Sequence, residues 1–262
     1  MITELVTSVA PLRADPTRSV LLFDFDGTLS PVIDDPAAAA PLPGTFERLE
    51  ALAAAYLRVG IVSGRPVAFL AGQVPASLAL SGLYGLESRI DGQESDHPEA
   101  VRWRPVVADV VRAARAAVAP GSPAEGVLVE AKGLSITLHV RTRPELEPVA
   151  VELARTLAAP AGLLVRPAKM SVELHPPIAA DKGSALTTLA TGASAVMYVG
   201  DDVGDLPAFA ALDALASTQP PAFGLGVVVD GPELPEVLRA PGRLLLLPGQ
   251  SAILDLLDAL LV

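Results

Sequence analysis

Two short acidic segments hold most of the side chains in this sequence that can do chemistry. Asp24-Phe25-Asp26-Gly27-Thr28 closes one apolar run, and Gly200-Asp201-Asp202-Val203-Gly204-Asp205 closes another. Side chains alternate along a strand, so the spacing places Asp24 and Asp26 on one side. Carboxylates that close repel unless they share a proton or a cation. A lone Asp-Gly-Thr also reads as a solvated turn with a helix cap. Its place after an apolar strand favours a site, because the carboxyl ends of strands in an open α/β sheet form the usual ligand crevice. If the two runs are neighbouring parallel strands, three or four carboxylates converge and suit a hard divalent ion. Mg²⁺ fits best, since it takes oxygen ligands and keeps several waters. The absence of cysteine and the scatter of His97, His139 and His175 argue against zinc. Ser63-Gly64-Arg65 ends a further apolar run and offers a hydroxyl, an amide and a guanidinium to an anion. Lys182-Gly183 opens the helix before the second acidic strand, within reach of the same crevice. Alone, such a serine or lysine is a cap or a surface charge; the four pieces in this order make a candidate site.

The elements that must position these groups alternate between strand and helix. Residues 19–25, 57–62, 78–84 and 195–199 read as buried strands, and 43–57 and a segment from Asp181 as helices. Between them the pattern changes. A helix over 105–118 is followed by a hairpin of 127–131 and 134–141 around Lys132-Gly133, a helix over 145–158, and a strand pair of 163–167 and 170–174. That block is antiparallel α+β and interrupts a parallel α/β pattern. The expected architecture is therefore a Rossmann-like parallel-sheet core of residues 1–103 and 176–262, with an inserted α+β domain at 104–175.

Composition narrows the function. The 262 residues carry a net charge of −11, with 51% hydrophobic and 19% charged residues, which affords a sizeable core and argues against disorder. An acidic balance disfavours a nucleic-acid binder or an anionic-membrane binder, which needs a basic face. Without cysteine there is no disulfide scaffold, thiolate metal site or cysteine nucleophile. No stretch approaches the ~18 apolar residues of a membrane span, and the opening Met-Ile-Thr-Glu-Leu lacks the basic region of a signal peptide. The expectation is a cytoplasmic protein.

Taken together, Asp24-Phe25-Asp26-Gly27-Thr28, Ser63, Lys182 and Gly200-Asp201 through Asp205 resemble the four motifs of the haloacid dehalogenase superfamily of phosphohydrolases. The resemblance implies that Asp24 is the nucleophile and Asp26 the general acid and base. It implies that Ser63 and Lys182 hold phosphoryl oxygens. It also implies that Asp24, the Asp26 carbonyl and Asp201 bind Mg²⁺, with Asp205 in support. The chemistry is sound in its own right. A carboxylate can attack phosphorus to give an aspartyl-phosphate that water later hydrolyses. A second carboxylate can protonate the leaving alkoxide and then deprotonate the water. Dehalogenase members have no need of that second carboxylate, so its presence argues for phosphoryl transfer.

Further segments are similar to those of trehalose-6-phosphate phosphatases: Leu29-Ser30-Pro31-Val32 with Asp34-Asp35-Pro36, Ser63-Gly64-Arg65-Pro66, Gly82 to Glu87, Glu130 to Gly133, His139-Val140-Arg141, Glu173-Leu174 with Pro176, and Asp181-Lys182-Gly183. That similarity implies that Glu130, Lys132, Arg141 and Glu173, in an inserted cap, contact the sugar or close over it, with Arg65 near the phosphate. It also implies a functional link to a trehalose-6-phosphate synthase. The alternative reading of Glu130 and Lys132 is a surface ion pair on a solvated hairpin, which is worth little. Arg141, on an apolar strand, is harder to dismiss, because an unpaired buried guanidinium is costly; His139 and Trp103 read as structural. The chain departs from the family pattern at Tyr84, where His is common, and at Gly204-Asp205-Leu206, where Thr-Asp-Glu is common, so that the Asp is kept but its acidic neighbour becomes Leu206. The expected activity is Mg²⁺-dependent hydrolysis of trehalose 6-phosphate. The alternatives are a phosphatase for sucrose 6-phosphate or a glycosyl phosphoglycerate, and a non-catalytic domain that binds a sugar phosphate for regulation.

Overall fold

The computed structural model describes residues 2–33, 38–168, 170–217, 222–231, 234–239 and 244–261. The Asp34-Asp35-Pro36 segment lies outside the described residues. The chain divides into two compact units, Met1–Ser95 with Ala180–Val262, and Asp96–Ala179.

In the first unit, helix α1 (Ile2–Ala14) leads into strand β1 (Ser19–Phe23), and α2 (Thr45–Ala55) connects to β2 (Arg58–Val62). A short α3 (Val67–Leu70) leads to β3 (Ala79–Gly82), and β4 (Glu87–Ile90) and β5 (Gln93–Asp96) extend the sheet. The second unit then runs α4 (Arg104–Ala117), β6 (Leu128–Ala131), β7 (Ile136–His139), α5 (Glu147–Ala161), β8 (Leu164–Ala168) and β9 (Ser171–His175). The first unit resumes with α6 (Lys182–Leu189), β10 (Ala195–Gly200), α7 (Leu206–Leu215), β11 (Phe223–Val229), α8 (Glu236–Arg239), β12 (Leu245–Leu247) and α9 (Ala252–Leu261).

The large sheet has the order β12-β11-β10-β1-β2-β3-β4-β5, parallel from β12 to β3 and antiparallel at β3–β4. All five residues of β1 are buried, because alternate side chains feed two different cores. Leu21 and Phe23 pack with Leu5 and Val9 of α1, Leu49 of α2 and Leu256 of α9. Val20 and Leu22 pack with Leu186 of α6 and Phe209 and Leu212 of α7. Helices on both faces of a parallel sheet give the expected α/β class. β1 lies between β2 and β10, with Phe23 opposite Val199, so the chain leaves the sheet centre in both directions and the carboxyl ends of β1 and β10 come side by side.

The second unit is a sheet of order β6-β7-β9-β8, covered on one face by α4 and α5. Val107, Val110, Val111 and Ala114 form the buried stripe of α4, at helical spacing. Ala150, Ala154 and Ala158 let α5 approach the sheet closely. This unit begins at Asp96, where the sequence reading places its start at 104. Within this unit Arg104 donates to both Asp96 oxygens at 2.7 and 2.9 Å, a two-pronged ion pair between its first residue and the head of α4. Its end falls at Ala179 rather than 175. Among the described residues, no helix is long and apolar enough to cross a membrane.

Candidate active site

β1 ends at Phe23, two residues earlier than the sequence pattern predicts. Asp24 and Asp26 therefore lie beyond the strand and do not share one of its sides, contrary to the expectation from alternation. The chain turns at once: the amides of Leu29 and Ser30 donate to the Phe25 carbonyl, and the Gly27 amide to the Ser30 carbonyl. Gly27 sits at φ +81°, and a Cβ there would lie 2.0 Å from Asp201 Oδ2. Only glycine meets both demands, and this turn sends the two carboxylates to different partners.

Asp24 turns inward. Its Oδ1 lies 3.0 Å from Lys182 Nζ. Lys182 is the first residue of α6, whose N-terminus is fixed by a capping box: the Ser184 amide donates to Asp181 at 2.8 Å, and the Asp181 amide donates to the Ser184 hydroxyl at 3.0 Å. The same ammonium donates to Asp205 Oδ1 at 2.6 Å. Asp24, Asp201 and Asp205, all buried, bring one carboxylate oxygen each within 4.8 Å of the others. Asp26 is not part of this cluster; its carboxylate is gripped by Arg65, with Nε at 2.7 Å and Nη2 at 2.6 Å.

Asp205 is the hub. Its Oδ1 accepts from Lys182 and, at 2.5 Å, from the Tyr198 hydroxyl; its Oδ2 accepts from the Asp201 and Asp202 amides at 2.8 and 3.0 Å. With both oxygens saturated, Asp205 braces the loop, and Asp24 and Asp201 hold the cluster's open oxygens. Asp201 Oδ1 accepts one hydrogen bond, from Thr28 Oγ1 at 3.2 Å. Sequence reasoning missed Tyr198 and Thr28. An aromatic residue within an apolar strand reads as core, and Tyr198 is indeed core, but it carries a hydroxyl that buried tyrosines must partner.

The electrostatics follow from burial and from an excess of carboxylates over Lys182. Burial, opposed by Lys182, pushes Asp24 well above the usual carboxylate range, with Asp205 and Asp201 adding to it. Burial and then the charges of Asp205 and Asp202 push Asp201 up to about 7. Asp202 is raised chiefly by burial as well. Asp205 goes the other way: burial alone would raise it, but Lys182 and the hydrogen bonds it accepts hold it low. Burial works against the Lys182 charge, yet Asp205 and Asp24 raise its pKa well above that of a free lysine. All-oxygen donors, with two buried carboxylates that resist ionisation, fit a hard divalent cation, whose charge relieves both.

Ser63 follows β2 and is buried, its Oγ accepting from the Arg65 amide at 3.1 Å. The Tyr84 ring lies against Gly64, where a Cβ would meet its hydroxyl oxygen at 2.7 Å. Leu206, the other departure, is 37% exposed beside the acidic loop.

The remaining predicted residues lie in the second unit. Glu130, Thr137, Glu173 and Arg166 are register partners across its four strands and so share one face, opposite the helices. Glu130 Oε2 is 2.7 Å from His139 Nε2 and 3.8 Å from Lys132 Nζ, so it is more than a hairpin ion pair. Glu173 is 4% exposed and accepts from the Ser135 hydroxyl at 2.7 Å. Thr137, buried between them, has a hydroxyl with no hydrogen-bond partner. Arg141 lies in the turn beyond β7, not on the strand, and is half-buried.

A central parallel sheet with an acid after β1, a serine after β2, a lysine opening α6 and an acidic loop after β10 defines a haloacid dehalogenase-like hydrolase fold. Two solved structures show the same fold over nearly the whole chain. One, a trehalose-6-phosphate phosphatase related protein, has a TM-score of 0.74 at 22% identity and covers 92% of this chain and 95% of its own. The other, the C-terminal domain of the C. albicans trehalose-6-phosphate phosphatase, has a TM-score of 0.73 at 22% identity, covering 99% and 96%. Residues 22–230 match the family described as trehalose-phosphatase, and the chain belongs to that family. A trehalose-phosphate phosphatase of Mycobacterium leprae is 32% identical over 227 residues, which are 81% of this chain and 51% of that protein. The chain thus spans about half the length of that relative.

Proposed function

We propose that this chain hydrolyses trehalose 6-phosphate to trehalose and phosphate through an aspartyl-phosphate on Asp24. One observation carries the reading: in a trehalose-phosphatase family member, Lys182 joins Asp24 and Asp205, from opposite ends of the chain, in one buried cluster with Asp201. Asp24 attacks phosphorus, and the bond from phosphorus to the sugar oxygen breaks. Asp26 gives its proton to the leaving alkoxide. It then takes a proton from the water that opens the aspartyl-phosphate, which releases phosphate and restores Asp24. The Lys182 ammonium and the Ser63 hydroxyl hold the phosphoryl oxygens, and the lysine offsets the repulsion between anionic nucleophile and anionic ester. Asp24, the Asp26 carbonyl and Asp201 would hold Mg²⁺, braced by Asp205; when bound, the ion supplies charge neutralisation at the phosphoryl group.

In this reading the first unit is the catalytic core and the second is a cap that selects the leaving group. Glu130, Lys132, Arg141 and Glu173 hold sugar hydroxyls by charge-assisted hydrogen bonds. The reading also carries a cytoplasmic location and a functional link to a trehalose-6-phosphate synthase. The test is phosphate release from trehalose 6-phosphate with Mg²⁺, with chelator, and with Mg²⁺ restored, run beside sucrose 6-phosphate. Turnover that needs the ion and prefers the trehalose ester is the expected result. Full activity in excess chelator, or a preference for the sucrose ester, refutes the corresponding half.

A further inference from the structure

We propose that Arg65 is the positioning residue of the acid/base carboxylate of Asp26, rather than a ligand of the phosphoryl group. The inference rests on the phosphatase reading above. Arg65 presents its Nε and Nη2 edge to both oxygens of Asp26, at 2.7 and 2.6 Å. This is the fork geometry that matches a carboxylate, and a guanidinium edge so used is not available to clamp a phosphate.

The arginine is the fixed member of the pair. Its side chain is 13% exposed, against 36% for Asp26. The guanidinium lies 4.5 Å from the centroid of the Phe69 ring, and that ring meets Phe25 edge-on, with centroids 5.7 Å apart. Phe25 sits between Asp24 and Asp26, so Phe69 links the arginine to the turn that carries both carboxylates. Its backbone is pinned too. The Arg65 carbonyl accepts from the Leu83 amide at 3.0 Å, and the Ser63 carbonyl from the Tyr84 amide at 3.0 Å. Leu83 and Tyr84 make these bonds from φ values of 49° and 58°, a left-handed conformation rare outside glycine. A side chain on Gly82 would meet the Arg65 carbonyl at 2.7 Å. The strained turn after β3 thus holds the Ser63–Arg65 loop, and the loop holds Asp26.

Proton transfer to a poor leaving group requires a carboxyl at a definite place. Losing Arg65 should therefore imitate losing Asp26. The experiment compares kcat/KM for trehalose 6-phosphate and p-nitrophenyl phosphate, plus inhibition by inorganic phosphate, in Arg65→Lys, Asp26→Asn and the double variant. Lysine keeps the charge and loses the fork. The expected result for Arg65→Lys is a ~10–100-fold loss on the sugar ester, within the range of general acid catalysis. The aryl ester, whose leaving group needs little proton, should lose only a few-fold, and the phosphate inhibition constant should hold. The double variant should be no worse than Asp26→Asn alone, because residues acting as one unit are not additive. Arg65→Met, which keeps a long stem over Phe69, serves if the lysine variant does not fold. Equal losses on both esters with weaker phosphate inhibition would make Arg65 a phosphate ligand and overturn the proposal. So would losses that multiply in the double variant, or full retention of sugar-ester activity. A wild-type chain that releases phosphate from neither ester would instead defeat the phosphatase reading.

Discussion

Asp201 should make cation binding readable as a pH-dependent gain in thermal stability. Without a cation, burial and the neighbouring Asp205 and Asp202 charges raise its carboxyl from 3.8 to about 7. Between about pH 4 and about pH 7 the ion-free folded state therefore holds a proton that the unfolded chain has lost. The sign follows: stability from this group falls as pH rises from about 4 through about 7, then levels off. At ~1.4 kcal/mol per pH unit the fall approaches ~4 kcal/mol, a large share of the ~5–15 kcal/mol that holds a domain folded. A divalent cation removes that cost, but below pH 7 it must displace the proton; counting the Asp201 proton alone, its apparent affinity at pH 5 is ~100-fold weaker than at pH 8, and any proton on Asp24 weakens it in the same direction. At a Mg²⁺ concentration ~100 times the dissociation constant at pH 8, linkage gives roughly 3 kcal/mol at pH 8 and well under ~1 kcal/mol at pH 5. For a chain of this size ~1 kcal/mol moves Tm by ~2–4 °C. The expected Mg²⁺ shift is ~5–10 °C at pH 8 and ~1 °C at pH 5. Calorimetry with Mg²⁺ or chelator at both pH values reads it directly. Asp201→Asn should make the ion-free pH dependence shallower and abolish the Mg²⁺ shift. An equal shift at both pH values, or one that survives Asp201→Asn, refutes the assignment.

Other outcomes follow from single contacts. Asp24→Asn should abolish turnover of every ester, whereas Asp26→Asn should lose most on trehalose 6-phosphate and least on p-nitrophenyl phosphate; steady-state kinetics on both substrates separates the two roles. Tyr198→Phe removes the hydroxyl that donates to buried Asp205 at 2.5 Å and should cost ~1–2 kcal/mol, read as a lower denaturation midpoint at unchanged slope. Gly27→Ala puts a methyl 2.0 Å from Asp201 Oδ2 at φ +81°, so it should lose Mg²⁺-dependent stabilisation as well as turnover. Alanine at Glu130, Lys132, Arg141 or Glu173 should lower kcat/KM for trehalose 6-phosphate ~10–100-fold but change aryl phosphate turnover only a few-fold; equal losses would mean that these residues do not select the sugar.

The fold and the reacting groups were legible to different depths, for physical reasons. Strands β1, β2, β3 and β10 announce themselves as apolar runs because a parallel strand covered on both faces has no polar side to show. The acids at their carboxyl ends stand out against that background. β4 and β5 carry no such mark: Glu87–Ile90 is half-buried and Gln93–Asp96 is largely exposed, so polar residues hide the strand signal. β11 opens Phe-Gly-Leu-Gly, where two glycines lower strand propensity, and at Gly226 the Leu244 side chain packs into the space a Cβ would take. The bond between Arg65 and Asp26 joins segments 39 residues apart and leaves no local pattern.

The failed alternation of Asp24 and Asp26 is the more instructive case. Were both on one face of a strand, both would enter the same charge cluster, and Lys182 would face yet another carboxylate. Breaking the strand at Phe23 keeps Asp24 with Lys182 and delivers Asp26 to a separate cation, Arg65. The two carboxylates then have different electrostatic neighbours, which two different tasks require. Asp24 keeps its place in a cluster whose carboxyl groups outnumber the one lysine, and in the proposed reaction a bound cation would leave it ionised and able to attack. Asp26, more exposed, is paired with Arg65 outside that cluster. A turn closed by one left-handed glycine, pressed against Asp201, thus separates the two carboxylates to which the proposed reaction gives the roles of nucleophile and acid.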